Sequence, residues 1–264
     1  MAPAELAGLR RRLRSPEPLT GALLSLPEPG LATILGSSGF DYVVVDAEHG
    51  PFTLSTLRAV AEALAATPAH AIVRVAANDP TVIKQTLELG VDGIQVPGVG
   101  SAAEAADAVR AIRYAPEGER GIGVGRSTRY GLDLPGYLHE ANARTAALVM
   151  IEDAAGVDAA ADIAATPGLD AMIVGPLDLS AALGVLGEPQ HPRVEDAIER
   201  VVRAGRAADV PVGLGGPASE LGRLVEQGSH VTLIFFDALD IAAAAREAVA
   251  TARASLPADP TGSA

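Results

Sequence analysis

Short apolar runs recur along the chain, beginning near Leu19, Asp41, His70, Gly93, Ala146, Asp170, Pro211 and His230. Runs such as YVVV (42–45), AIVRV (71–75), AMIV (171–174) and VTLIFF (231–236) are too continuously apolar for a sheet with one wet face. They suit parallel strands covered on both sides. Between them lie alanine-rich segments of helical period, among them LSTLRAVAEALAA (54–66), TVIKQTLELG (81–90) and SAAEAADAVRAIRYA (101–115). Glycine and proline punctuate the joints, at Gly39, Gly90, Pro97, Gly100, Gly168, Pro176, Pro211 and Gly228. Eight strands alternating with helices predict an α/β fold of the (β/α)8 TIM-barrel type, with a doubly wound open sheet as the alternative. No linker or shift in composition divides the chain, so residues 1–264 are expected to form one domain. The tail from about residue 255 (within ASLPADPTGSA, 254–264) is expected to be disordered.

Composition narrows the class. With 33 acidic against 20 basic residues the net charge is -13, which argues against a nucleic-acid surface. The one basic cluster, Arg10, Arg11, Arg12 and Arg14 in LRRRLRSPEP, reads as a solvated helix end. There is no cysteine, so disulfides and thiolate metal ligands are excluded. No apolar run is long enough for a membrane span, and the N-terminus lacks the apolar core of a signal peptide. A soluble cytoplasmic protein is expected.

The barrel reading says where chemistry should sit, because side chains that react in such barrels gather at the C-terminal ends of the strands. Asp46, Glu48 and His49 follow the second strand, Arg74 closes the third, and Glu152 ends the fifth in ALVMIED. Gly175, Pro176 and Asp178 follow the sixth in MIVGPLDLS, and the glycines of VGLGG end the seventh. Glu152 and Asp178 supply two hard oxygen ligands, suited to Mg²⁺ or Mn²⁺ with waters completing the shell, and Co²⁺ could substitute. Each carboxylate alone also fits a surface salt bridge, and Asp178 fits a helix cap. Strand alternation puts Met150 and Glu152 on one face, so Glu152 points into the barrel mouth, where a carboxylate requires a partner. His49 fits a structural histidine or a base, with Asp46 three positions upstream to orient it. Arg74 fits either a salt bridge to Asp46 or Glu48, or a clamp on a carboxylate or enolate oxygen. The glycines of RGIGVGRSTRYG (120–131) make no dinucleotide fingerprint, and the stretch is expected to be a mobile active-site loop.

Taken together, DYVVVDAEHGP, IVRV, IKQTLELGVDGIQVP, RYAPEGERGIG, RSTRYG, VMIED and GPLDLSAALG resemble the HpcH/HpaI family of metal-dependent, pyruvate-using class II aldolases. The resemblance runs from about Leu19 to Ala250. It implies a (β/α)8 barrel, and a homohexamer with exchanged C-terminal helices. It implies Glu152 and Asp178 as metal ligands, and His49 as the base, acting with a metal-bound water and assisted by Asp46. Arg74 is implied to contact pyruvate and stabilise its enolate, and the backbone from Gly175 through Pro176 and Leu177 to hold the carboxylate. Glu88 matches a family aspartate that assists the base. The implied reaction is cleavage or formation of a 4-hydroxy-2-oxo acid through a metal-bound pyruvate enolate, from a 2-oxo acid (pyruvate or oxaloacetate) and an aldehyde. A Schiff base is not needed, and Lys84, the only lysine, falls in a helical segment. The alternative is a related lyase or condensing enzyme using the same enolate, acting on oxaloacetate or an acyl-CoA; a non-catalytic binder of 2-oxo acids is a third reading.

Four positions depart from the family pattern. Met150 stands where glutamine is usual, Leu177 where a small residue is usual, Glu88 where aspartate is usual, and GALLSL lacks a tryptophan. Met150 offers no donor and Leu177 adds bulk. A pocket more apolar than usual is expected, with poorer acceptance of highly hydroxylated aldehydes.

Overall fold

A computed structural model of the chain describes residues 8–256. Eight parallel strands close into a barrel in sequence order: β1 (Leu19–Leu24), β2 (Tyr42–Asp46), β3 (His70–Arg74), β4 (Gly93–Val96), β5 (Ala146–Ile151), β6 (Ala171–Val174), β7 (Val212–Gly215) and β8 (Ser229–Phe236). All eight predicted strand starts fall within one residue of the observed ones. From residue 257 onward the tail expected to be disordered lies outside the described residues. Residues 254–256 finish the last helix and its cap.

The apolar runs are buried on both faces, and alternation sorts them into two cores. Val43, Val45, Ala71, Val73, Ile94, Val96, Val149 and Ile151 point outward and pack under the helices. Tyr42, Val44, Ile72, Ala146, Leu148, Met150 and Ile173 point inward and fill the barrel. Gly21 makes room for the largest of these. A Cβ there would lie 2.3 Å from the Tyr42 ring. The same parity carries Asp46, Arg74, Gln95, Glu152 and Gly175 to the inner side of the barrel's C-terminal rim.

The helix Gly8–Leu13 closes the opposite end, with Leu9 and Leu13 buried in the inner core. This corrects the reading of the arginine cluster as a solvated helix end. Arg10 pairs with the buried Asp170 at 2.8 Å and Arg12 with Asp41 at 2.6 Å, both carboxylates standing just ahead of strands. Arg11 alone is exposed with no ion pair among the described residues.

The helix Asp237–Ala254 leaves the barrel. Of its residues only Asp237 is buried, and Leu239, Ile241 and Val249 are exposed. No helix among the described residues is long and apolar enough to cross a membrane.

Candidate active site

A cavity of about 400 Å³ opens at the C-terminal rim, lined by His49, Arg74, Gln95, Met150, Gly175–Asp178 and an apolar wall that includes Leu23, Ile173, Leu233 and Phe236. The wall is fixed from beneath by Asp237. Its carboxylate accepts from Ser25 N and Leu26 N at 2.9 Å and from Ser25 Oγ at 2.6 Å, tying the end of β8 to the end of β1.

Asp46 and Arg74 face each other across β2 and β3, whose register pairs them. Arg74 Nε donates to Asp46 Oδ1 at 2.8 Å and Nη2 to Oδ2 at 2.7 Å. Glu48 Oε2 stands 3.3 Å from Arg74 Nε. Burial pushes the Asp46 carboxyl up, but the bonds and charge of Arg74 and the His49 N–H outweigh it, and its pKa lies below the usual range. The expected contact between Asp46 and the imidazole is not the one seen. Asp46 Oδ1 instead accepts the backbone N–H groups of Glu48 and His49, each at 3.2 Å, which bends the chain after β2 into a turn. The imidazole is 63% exposed on the rim, and its nearest carboxylate is Glu48, with Nε2 at 3.7 Å from Oε2. Arg74 is in the salt bridge weighed for it, and it also lines the cavity.

Glu152 follows β5 on the inward parity. Its Oε2 accepts the Gly98 N–H at 2.8 Å, so the loop after β4 sets its direction. Gly175 lets it pass, since a Cβ there would sit 3.0 Å from Glu152 Oε1. Burial raises the Glu152 pKa above the usual carboxylate range; the Gly98 N–H and Arg74 oppose this, and the charges of Glu48 and Asp178 add to it. Glu48 is raised for the same first reason, its burial, with Arg74 and His49 pulling the other way. Asp178 lies in the first turn of the helix Pro176–Ala182, where Gly175 is the cap and no side chain caps it. The capping role weighed for Asp178 is therefore absent, and its side chain lines the cavity.

Of the four carboxylates near Arg74, Asp46 and Glu48 engage its guanidinium. Among the described residues no group of three or more histidine, aspartate or glutamate side chains converges on one point. Glu152 and Asp178 are the carboxylates free of an arginine partner, and this donor set suits a hard divalent cation that keeps positions open for water or substrate oxygens. The amides available to a ligand carboxylate can also be assigned. Gly175 N–H is bonded to Ile151 O at 3.2 Å and Pro176 has none, which leaves Leu177 and Asp178 at the start of the helix.

Two expected members stand elsewhere. Glu88 caps the C-terminus of the helix Pro80–Leu87, and a helix that returns antiparallel to the strands ends on the face away from the rim. It accepts from Ser127 Oγ at 3.4 Å and does not line the cavity. The stretch 120–131 is no active-site loop within its own chain. The helix Ala102–Ile112 brings it to the same far face, where Ser127 N bonds Glu88 O and the Arg120 guanidinium lies 4.5 Å above the Tyr114 ring.

One polar cavity residue was missed altogether. Gln95 is the only polar residue of β4, it is 2% exposed, and its Nε2 reaches Met150 Sδ at 2.8 Å. The signal was present in GIQV, where one amide interrupts an apolar strand on the inward parity.

Comparison with known proteins identifies the family. The family model HpcH/HpaI aldolase/citrate lyase matches residues 20–244. The chain belongs to the HpcH/HpaI aldolase/citrate lyase family. It is 39% identical over 221 residues to the hydroxypyruvate/pyruvate aldolase of Chromohalobacter salexigens, covering 83% of this chain and 87% of that protein. It is 40% identical over 204 residues to the 4-hydroxy-2-oxo-heptane-1,7-dioate aldolase of Salmonella arizonae, covering 76% and 77%. Among solved structures, an HpcH/HpaI aldolase/citrate lyase family protein from Burkholderia cenocepacia superposes with a TM-score of 0.89 at 37% identity, over 93% of this chain and 98% of that one. The family member described here is a carbon–carbon lyase of the aldolase type.

Proposed function

We propose that the chain joins and cleaves 4-hydroxy-2-oxo acids at the barrel rim, using a pyruvate-type 2-oxo acid, an aldehyde and a divalent cation, Mg²⁺ or Mn²⁺. One observation carries this reading: Asp178 lines the cavity with Arg74 and His49, Glu152 lies against its lining residue Gly175, and neither carboxylate is held by an arginine. A cation bound by the two carboxylates supplies Lewis-acid polarisation of the 2-oxo acid. The other tasks fall to the chain's own groups.

Leu177 and Asp178 N–H groups hold the substrate carboxylate at the start of their helix. Arg74 is locked by Asp46 and presents Nη1 to the cavity, where it meets charge growing on the C2 oxygen. In cleavage His49 takes the proton of the C4 hydroxyl, the C3–C4 bond breaks, and the electron pair is held as an enolate facing Arg74. Protonation at C3 then yields the 2-oxo acid, and the aldehyde leaves along the apolar wall. Glu48 Oε2, 3.7 Å from the imidazole Nε2, helps to orient the ring.

The family description spans citrate lyase as well as aldolase, so a condensing or acyl-cleaving relative using the same enolate is the second reading. Release of a 2-oxo acid from a panel of 4-hydroxy-2-oxo acids tests the first, with oxaloacetate and acyl-CoA substrates as the competing arm. Turnover confined to the competing arm would replace the first reading by the second.

The exposed helix Asp237–Ala254, with Leu239, Ile241 and Val249 uncovered, supports a homo-oligomer in which a second copy covers it, a hexamer by likeness to the family. A role for Glu88 in proton transfer then requires another copy to present it. A cytoplasmic location agrees with a chain that uses no cysteine.

A further inference from the structure

We propose that Gln95 is a substrate-binding residue: its amide N–H donates to the C2 oxygen of the bound 2-oxo acid, alongside Arg74. The inference rests on the aldolase reading above and adds a residue to it.

Placement comes first. The β3–β4 register sets Gln95 beside Arg74, and both side chains point inward. Three positions on, the Gly98 amide fixes Glu152, so Gln95 lies one layer beneath the carboxylate pair. It lines the cavity together with Arg74 and Met150.

The chemistry follows from what the amide lacks. Burying an amide is unfavourable unless its hydrogen bonds are made. Among the described residues the only partner of the Gln95 side chain is Met150 Sδ, and a thioether is a weak acceptor. Arg74 Nη1 is directed at the same sulfur, at 3.9 Å. Two donors, one charged and one neutral, therefore converge on a single poor acceptor at the wall of a cavity. An anionic oxygen seated between them would accept from both, and strengthening of those bonds as charge develops favours the enolate over the ketone. Leucine in place of Gln95 would pack as well beside Leu148 and Met150, so fold stability gives no reason for an amide here.

A binding role and a structural role predict opposite signs. Gln95→Leu should raise the KM for pyruvate in Mn²⁺-dependent methyl-proton exchange and lower kcat/KM by about tenfold or more, because a bond to a charged oxygen is lost. The Tm of the metal-free variant should stay level or rise, and Mn²⁺ affinity should not change. Exchanging the contact pair, Gln95→Leu with Met150→Gln, returns an amide to the same spot from β5 and should recover most of the loss. Kinetics within twofold of wild type for Gln95→Leu would overturn the proposal, as would a parallel fall in Tm and activity that the exchanged pair does not repair. A wild-type protein that exchanges no pyruvate protons would overturn the aldolase reading and this inference together.

Discussion

Asp46 grips Arg74 with both carboxylate oxygens, at 2.8 and 2.7 Å, and their side chains are only 3% and 11% exposed. Such a pair contributes more by fixing the guanidinium than by net stability. The same carboxylate takes the Glu48 and His49 backbone N–H groups, so one residue positions both the guanidinium and the turn that carries His49.

Asp46→Asn keeps the shape and removes the charge. It should cost about 2 kcal/mol of stability, less than a fully buried pair loses because Glu48 stays beside Arg74. The sign with pH follows from the lowered pKa of Asp46. Its stabilisation is present above the ordinary aspartate value and is lost as pH falls through the depressed folded value. Wild-type Tm should therefore drop more steeply than the variant's on acidification below about pH 4. Parallel Tm curves for the two proteins would show that the pair carries no such linkage.

Base and binder separate kinetically. His49→Ala should lower kcat by about a hundredfold while Mn²⁺ binding is kept, since proton transfer typically contributes 10²–10⁴. Arg74→Ala should raise KM and lower kcat together, and should also reduce Tm because it strands Asp46 in a buried position. Steady-state kinetics with thermal melts on both variants check this. A His49→Ala enzyme with wild-type kcat would assign the proton to another group.

Much of this was legible in the chain. Continuous apolar runs specified buried parallel strands, and period-two alternation from Met150 to Glu152 specified which side chains enter the barrel. Asp46, His49, Arg74, Glu152 and Asp178 stand out in the sequence because strand ends and residue type coincide. Glu88 and the 120–131 stretch were misplaced because their position depends on which face a returning helix reaches, which local pattern does not encode. Gln95 was overlooked because an amide inside a strand carries no motif; only the contact with Met150 across β4 and β5 shows its place. That contact also revises the expected apolar pocket. An amide stands beside Met150 from the neighbouring strand, so the donor that Met150 lacks is supplied at the same level of the barrel.

Gly175→Ala tests the closeness of β6 to Glu152. The added methyl, 3.0 Å from Oε1, obliges the carboxylate to shift by a few tenths of an ångström. A displacement of that size should weaken Mn²⁺ binding by about tenfold and leave Tm within a few degrees, because a flexible side chain gives way and the backbone does not. Calorimetric titration with Mn²⁺ measures it. Unchanged affinity would mean that Glu152 does not hold the cation.

The proposed mechanism turns on Glu152 and Asp178 holding a cation against which a 2-oxo acid is converted to its enolate. Loss of pyruvate methyl protons in D₂O, followed by NMR with no aldehyde present, reads that step alone. Exchange is expected with added Mn²⁺ or Mg²⁺, with none after exhaustive chelation and none in a folded Asp178→Ala variant. Exchange that survives chelation, or that Asp178→Ala retains at the wild-type rate, would contradict it.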